Sequence, residues 1–254
     1  MKETRIMKVF EQYIKKFDMN KGNVKAIYFH SIKTMELCKN IASSLGIFTE
    51  EEIKVCGLIG LFHDVGIINN NLKNFTFLDD DSDQTKESIN ILFGQDGLIR
   101  KITNDTSYDN IIKIAIYCQN KNGLPKGFDN KVLHYCMVLK DAEVIENFRM
   151  ITNYPYMDMY IDNFPNNLVY NSFKSYKVID SKISDNDADK ILEVMSTVFG
   201  VYYPYSYMLL KEEDSINKLL NALHISNKNI SNFFYQISNV LSVYIDRKIG
   251  SQNV

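Results

Sequence analysis

The sequence is poor in the residues that interrupt regular structure. Its 254 residues include only 4 prolines and 11 glycines, and tryptophan does not occur. So few breakers favour long elements over a fold of many short strands joined by tight turns. With 45% hydrophobic residues, a chain of this length can bury a sizeable core. We therefore expect one large domain or two small ones.

The sequence also has little excess charge. It carries 29 basic and 31 acidic residues, a formal net charge of −2, without a long block of either sign. This balance gives no electrostatic reason to expect general nucleic-acid binding. The sequence contains no apolar run of about 18 residues and no apolar signal core near its start. We therefore expect a cytoplasmic protein that does not associate with membranes.

The cysteines do not follow a zinc-binding or disulfide pattern. Cys38, Cys56, Cys118 and Cys136 each lie within an apolar stretch, and no C-x-x-C pair occurs. We interpret them as buried free thiols of a protein from a reducing compartment.

The apolar residues recur at helical intervals through most of the sequence. Over 24–45 they form one stripe, and Gly46 is expected to end that helix. Thr49 and Glu52 form a capping-box pattern that opens the next helix. That helix is apolar on nearly every side from Ile53 to Phe62, so it should be buried.

Further helices are predicted beyond this point, whereas the polar segment 69–83 is expected to be a loop. Asp109 and Asp129 are candidate caps for two of them. The predicted helical ranges are 84–93, 111–118, 131–148, 185–199, 205–223 and 227–248. The stretch 151–180 has the weakest pattern.

The absence of a competing strand pattern predicts an all-α fold. We interpret residues 1–254 as a single helical domain in which 1–150 carries any site and 151–254 forms a helical extension packed on it. Tyrosines and phenylalanines are concentrated in that extension. Packing of its helices is the commoner explanation, although an exposed share of these rings could form a homodimer surface.

Two histidines and two aspartates are candidate metal ligands. His30 lies in the first long helix, His63 and Asp64 follow the buried one, and Asp141 lies in the helix that begins near 131. Such a nitrogen and oxygen set suits Fe, Mn, Ni, Co or Mg better than a thiolate zinc site. A carboxylate after an apolar helix is costly to leave ionised without a partner, and a divalent cation is a sufficient partner. Each candidate also has a simpler explanation. His30 could be a hydrogen-bonded core histidine, and His63 and Asp64 could satisfy the free carbonyl groups at the end of a helix. Asp141 could be a solvated or capping aspartate.

At these residues the sequence resembles the HD-domain metal-dependent phosphohydrolase superfamily, whose pattern is H…HD…D on an all-helical fold. The matching stretches are F-H-S-I-K-T at 29–34, L-F-H-D-V-G at 61–66 and L-K-D-A-E at 139–143. The resemblance is closest to a bacterial branch of plain HD-domain proteins and extends through 91–102 and 115–121 into the C-terminal helices. It implies an HD-domain-like helical bundle with additional C-terminal helices. It also implies a divalent metal ion bound by the two histidines and two aspartates named above.

The sequence departs from this family on the substrate side. Active members usually carry two further histidines at the positions that align with Gln84 and Gln119. Ile67 occupies the place where a basic residue often follows H-D-x-G. Glutamine cannot act as a general acid near neutral pH, although it can hydrogen-bond a phosphate oxygen. These departures suggest a site for one metal ion with weakened or altered catalysis.

The resemblance implies hydrolysis of a nucleotide or another small phosphate ester. Asp64 is the candidate to orient or deprotonate the attacking water. The candidate substrate-binding residues are Gln84, Gln119, Asn120, Lys121 and Lys140. The alternative is that these five are ordinary solvated surface residues. The other open function is a catalytically degenerate HD-fold protein that binds a metal, a nucleotide ligand or a protein partner for regulation.

A second similarity concerns the stretch N-K-N-G-L-P-K-G-F at 120–128. It is similar to the D-G-x-G-Y-P-x-G stretch of HD-GYP domains, which hydrolyse cyclic di-GMP. The H-H-E sequence and the lysine that accompany it in those domains do not occur here. A Gly-Pro turn between helices explains these residues equally well.

Overall fold

The computed structural model describes residues 1–69, 82–95, 97–121, 123–153 and 160–251. Within these ranges the regular structure is helical, apart from one isolated bridge between Tyr160 and His224, and the predicted all-α class is confirmed. The α-helices are α1 (Glu3–Ile14), α2 (Gly22–Ser44), α3 (Glu50–Phe62), α4 (Ser82–Phe93), α5 (Ile99–Ile102), α6 (Asp109–Cys118), α7 (Asn130–Asn153), α8 (Asn167–Lys174), α9 (Asp187–Ser196), α10 (Pro204–Glu212), α11 (Ser215–Ala222) and α12 (Lys228–Gly250). Short 3-10 segments cover Val65–Asn69, Ser181–Ile183 and Thr197–Gly200.

The chain divides into two compact units, Met1–Glu143 and Val144–Val254. The single domain with parts 1–150 and 151–254 stays a prediction, as does the HD-like arrangement of the helices. Most of the expected loop at 69–83 lies outside the described residues. No helix in the described part of the chain combines the length and apolarity needed to cross a bilayer.

The core of the first unit is built around α3. Every residue from Val55 to Phe62 is buried, which confirms the predicted central helix. Helix α3 packs against α2, α1 and α6. The ring of Phe62 meets Phe10 of α1 edge to face, with ring centroids 5.4 Å apart. This packing leaves the end of α3 inside the unit, where His63 follows.

The structure confirms two of the three residues that the sequence predicts as helix N-caps. Thr49 accepts a hydrogen bond from the Glu52 amide, and the Glu52 carboxylate accepts one from the Thr49 amide at 2.8 Å. A backbone amide in the first turn of α7 donates to the Asp129 carboxylate at 2.9 Å. Asp109 is not a cap, because it is the first residue of α6 and Tyr108 takes the cap position without a side-chain bond.

The second unit contains α8 to α12, with α10 and α11 packed against α12 and α8 packed against α9. Aromatic rings pack together in its core, where Phe199 contacts Phe173 at 5.0 Å and Tyr244 at 4.9 Å between ring centroids. The predicted helix 205–223 is two helices, α10 and α11. They are separated at Asp214, whose left-handed backbone has a φ of 53°.

We expect Thr49→Ala to lower the free energy of unfolding by about 1 kcal/mol, because the first turn of α3 loses its side-chain acceptor. Denaturant unfolding followed by circular dichroism measures this change. Thr106→Ala is the matched control, since Thr106 is exposed and precedes α6, and it should change stability by less than about 0.5 kcal/mol. Equal effects of the two substitutions would contradict the capping role.

Candidate metal centre

Four ionisable side chains meet in the interior of the first unit. His30 comes from α2, His63 and Asp64 directly follow α3, and Glu143 comes from α7. Five distances among His30 Nε2, His63 Nε2, Asp64 Oδ2 and Glu143 Oε1 run from 2.9 to 3.5 Å. Both histidines are fully buried, whereas the Asp64 and Glu143 side chains are 13% and 21% exposed. The cluster is therefore open to solvent on the side of its carboxylates.

The two histidines meet because α2 and α3 approach each other closely. A Cβ atom at Gly60 would lie 2.8 Å from the backbone oxygen of Thr34 and 2.8 Å from the sulfur of Cys38. One turn earlier, a Cβ atom at Gly57 would lie 2.8 Å from the side chain of Lys39. Glycine at these positions removes the side chains that would hold the helices apart.

The orientation of His63 is determined by a backbone contact. Its Nδ1 lies 2.8 Å from the carbonyl oxygen of Gly60, so Nδ1 carries a proton and donates it to that oxygen. In the neutral ring the lone pair is then on Nε2, which points at the other three side chains. This is the tautomer in which a histidine can bind a cation at Nε2.

The chain turns sharply after the HD pair and runs into the 3-10 segment Val65–Asn69. The Gly66 amide donates to the Ser88 hydroxyl at 2.9 Å, and a Cβ atom at Gly66 would lie 2.5 Å from the Gln84 carbonyl oxygen. Gly66 does not serve as the C-cap of α3, because this glycine lies within the 3-10 segment and its backbone is not left-handed. Its role is to allow close packing against α4.

Asp64 is held in place by Gln119, which follows α6. The Gln119 amide nitrogen donates to Asp64 Oδ1 at 2.8 Å. The other carboxylate oxygen, Oδ2, faces His63 at 3.1 Å and His30 at 3.5 Å. The two oxygens of Asp64 therefore have separate partners, and the carboxylate cannot rotate freely.

The electrostatics of the cluster depend on compensation between the imidazoles and the carboxylates. Burial alone would lower the pKa of His30, but Glu143 and Asp64 outweigh it and raise that pKa to about 9. The pKa of His63 is likewise raised despite burial, because Asp64 and Glu143 lie beside it. Burial works to raise the pKa of Glu143, but the two histidines lower it to about 2. The same histidines lower the pKa of Asp64 against the effect of burial.

The residues present could hold a metal ion. Ligand atoms about 2.1 Å from a metal lie about 3.0 Å apart in octahedral and about 3.4 Å apart in tetrahedral geometry, and the distances of 2.9 to 3.5 Å in the cluster cover this range. Two imidazoles and two carboxylates suit divalent first-row metals, and carboxylates also suit Mg. This donor set leaves the identity of the ion open among Fe, Mn, Ni, Co and Mg.

The carboxylate that α7 contributes to the cluster is Glu143, which the sequence reasoning did not single out. Asp141 is fully buried on the same helix but is not among the four side chains that meet. Two residues along a helix correspond to a rotation of about 200°, so the two carboxylates face different directions. The stretch L-K-D-A-E contains both acids, and only the rotation of α7 about its axis selects between them. The role of Asp141 as a ligand stays a prediction.

The candidate substrate-binding residues lie on α4, at the end of α6 and on α7. Gln119 is hydrogen-bonded to Asp64, as described above. The Lys140 ammonium donates to the backbone oxygens of Gln119 at 3.0 Å and of Lys121 at 2.6 Å, so it anchors the end of α6. Lys121 lies over the ring of Tyr117 at 5.3 Å. Gln84 and Asn120 are half-buried, and the substrate roles of all five residues stay predictions.

Comparisons of the chain with protein-family models, with curated proteins and with solved structures each found no match. The case for a metal centre therefore depends on the side chains themselves.

We expect Gly60→Ala to destabilise the protein by about 1–3 kcal/mol, because the new methyl group overlaps the Thr34 backbone. In a helix without this contact, alanine would be more favourable than glycine by about 1 kcal/mol. A net loss of stability in Gly60→Ala therefore indicates close packing at this position. Gly22→Ala is the matched control, since a Cβ atom there meets nothing within 4 Å. Denaturant unfolding of both variants measures the difference, and a Gly60→Ala protein as stable as the control would contradict the contact.

We expect Glu143→Gln to weaken metal binding by about 100-fold or more, because it removes a charged donor from the cluster. Asp141→Asn is the comparison on the same helix and should weaken metal binding less than Glu143→Gln does, because Asp141 is not among the four side chains that meet. Titration with Mn²⁺ followed by calorimetry, with circular dichroism to check folding, measures both. The reverse result would make Asp141 the ligand and exclude the cluster with Glu143.

Proposed function

We propose that this chain is a metal-dependent phosphohydrolase of the HD type that acts on a nucleotide or another small phosphate ester. The observation that carries the proposal is the meeting of His30, His63 and Asp64 with a carboxylate from α7. The resemblance to the HD superfamily implies two histidines and an aspartate that meet an aspartate from a later helix, which aligns with Asp141, whereas the cluster contains Glu143 from the same helix. The all-helical fold is consistent with the same family.

A divalent cation bound by the cluster would supply Lewis-acid chemistry, in which a phosphoryl oxygen is polarised and the pKa of water is lowered. The partly exposed carboxylates give the substrate an approach to the cluster, while the buried histidines close the opposite side. The ligands would be His30, His63, Asp64 and Glu143.

The role of Asp64 that fits the geometry is to orient the reacting water. Beside a bound cation, Asp64 would be ionised at neutral pH and would be a weak base. The Gln119 hydrogen bond holds the carboxylate in one rotation, which favours orientation over proton removal. Positioning of this kind contributes to catalysis because the reactants lose less freedom in the transition state.

Gln119 can contact a ligand through its carbonyl oxygen. Its nitrogen donates to Asp64, and its Oε1 atom is buried without a hydrogen-bond partner among the described residues. A buried acceptor of this kind is satisfied by a water or by a hydroxyl or amino group of a ligand. Gln119 therefore helps to select a ligand but does not supply a proton.

The same residue favours a second function, which is a catalytically degenerate HD-fold protein that binds a metal or a nucleotide for regulation. An amide neither gives nor takes a proton near neutral pH, and this one already bonds the carboxylate beside the cluster. Loss of a general acid costs about 10²–10⁴-fold in rate, so a site of this kind can retain its ligand after catalysis has weakened.

We expect protein purified without chelator to hydrolyse at least one member of a panel of nucleotides and phosphomonoesters when Mn²⁺ or Fe²⁺ is present. His63→Ala should lower the turnover by about 10³-fold or more, because it removes a donor and the charge balance of the cluster. His224→Ala is the matched control, since His224 stacks on Tyr160 in the second unit and its loss should leave turnover unchanged.

Two results separate the functions. If the protein binds Mn²⁺ but hydrolyses no substrate, and Gln119→His also fails to give turnover, the regulatory function stands. If Gln119→His raises a measurable turnover, the chain is a phosphohydrolase whose activity this glutamine weakens.

A further inference from the structure

A cavity of about 370 Å³ lies in the first unit, where α5 packs against α1 and α4. Sites for small molecules usually have volumes of about 300–1,000 Å³, so the cavity can hold one. The Arg5 guanidinium donates to the backbone oxygen of Lys101 at 2.7 Å and ties α1 to α5 beside it. None of the described lining residues belongs to the candidate metal centre. Those that bear on binding are Tyr13, Lys16, Phe17, Leu98 and Lys101.

The inner part of this cavity is apolar and aromatic. Tyr13 and Leu98 are buried, and Phe17 is half-buried. The rings of Tyr13 and Phe17 have centroids 5.4 Å apart and planes tilted by 57°. A flat ring of a ligand gains from edge-to-face or offset contacts with such rings. Burial and the nearby Glu87 raise the pKa of Tyr13 to about 12, so its phenol adds no negative charge at neutral pH.

The solvent side of the cavity is positively charged. Lys16 and Lys101 are both exposed, and the Lys16 ammonium lies 5.4 Å from the ring centroid of Tyr13. Neither lysine forms an ion pair within the part of the chain that the structure describes, and no described lining residue is acidic. Two ammonium groups without a carboxylate partner suit an anion of charge −2, which a phosphate monoester carries near neutral pH.

The helix ends at the cavity oppose this charge only weakly. The last turns of α1 and α4 carry partial negative charge on their carbonyl oxygens. The Lys16 amide donates to the Tyr13 carbonyl oxygen at 3.1 Å, and the Leu98 amide donates to that of Ile91 at 3.1 Å. These carbonyl groups are therefore satisfied by the backbone, and the two lysines supply the full charges beside the cavity.

We propose that this cavity binds a small aromatic phosphate monoester, such as a nucleoside monophosphate. The ring of the ligand lies against Tyr13 and Phe17, and its phosphate lies between Lys16 and Lys101. A carboxylate has a single charge and would match only one of the two lysines. The site does not depend on the proposed function, because it requires no metal and none of its residues belongs to the cluster.

The test is a calorimetric titration of the full-length protein with adenosine 5′-monophosphate (AMP) at low ionic strength. EDTA in the buffer prevents metal-dependent hydrolysis, so the titration measures binding alone. We expect one saturable site for AMP. Adenosine and inorganic phosphate should each bind at least about tenfold more weakly, because each lacks one of the two groups that the cavity recognises.

Substitutions of single lysines locate the site. Lys16→Gln and Lys101→Gln should each weaken AMP binding about tenfold, because each removes a charged donor from the phosphate. Lys15→Gln is the matched control, since Lys15 is an exposed neighbour that does not line the cavity, and it should leave the affinity unchanged.

Three results would overturn the proposal. AMP could show no saturable binding at millimolar concentration, or adenosine or inorganic phosphate could bind as tightly as AMP. The third is that Lys15→Gln weakens AMP binding as much as Lys16→Gln and Lys101→Gln do. Hydrolysis in the presence of Mn²⁺ is measured separately, so failure of this site and failure of the proposed function are distinguishable.

Discussion

The close approach of α2 and α3 at Gly60 is the constraint on which the candidate metal centre depends. A side chain at this position would overlap the backbone of Thr34, and the helices would have to move apart. The Nε2 atoms of His30 and His63 could then not lie 3.2 Å from each other. The same glycine supplies the carbonyl oxygen that determines the tautomer of His63. One residue without a side chain therefore controls both the distance between the two imidazoles and the tautomer of His63.

Charge compensation explains how ionisable groups persist in this apolar interior. An isolated buried charge costs several kcal/mol, so a lone histidine or aspartate at the end of α3 would be neutral or displaced. Here each imidazole lies within 3.5 Å of both carboxylates, and the opposite signs lower the cost of burying all four groups. A cation that replaces the imidazole protons keeps the same balance, because it is also positive and lies among the same atoms.

Several contacts beside the candidate metal centre involve the residues at the end of α6. Lys140 anchors the backbone there, and Gln119 reaches from it to Asp64. Cys118, the last residue of α6, is buried at the same point. Because these contacts share a few consecutive residues, a change at any one of them alters the geometry beside the cluster. We infer that this side of the candidate centre is held by hydrogen bonds to the backbone and side chains of this helix end.

The sequence by itself determined the features that arise from local patterns. The buried α3, its capping box and the HD pair at its end follow from the spacing and type of neighbouring residues, and the structure has them where the pattern predicts. Helices α1, α5 and α8 are not among the predicted helices. The four residues of α5 and the eight of α8 give little periodic signal, whereas the 12 residues of α1 carry an apolar stripe through Ile6, Val9, Phe10 and Tyr13 from which a helix could be predicted. Only the tertiary structure decided that the Glu143 carboxylate lies among the four side chains that meet. Both acids lie on one predicted helix, and the side that faces α2 and α3 is determined by how the whole helix packs, which local periodicity does not specify.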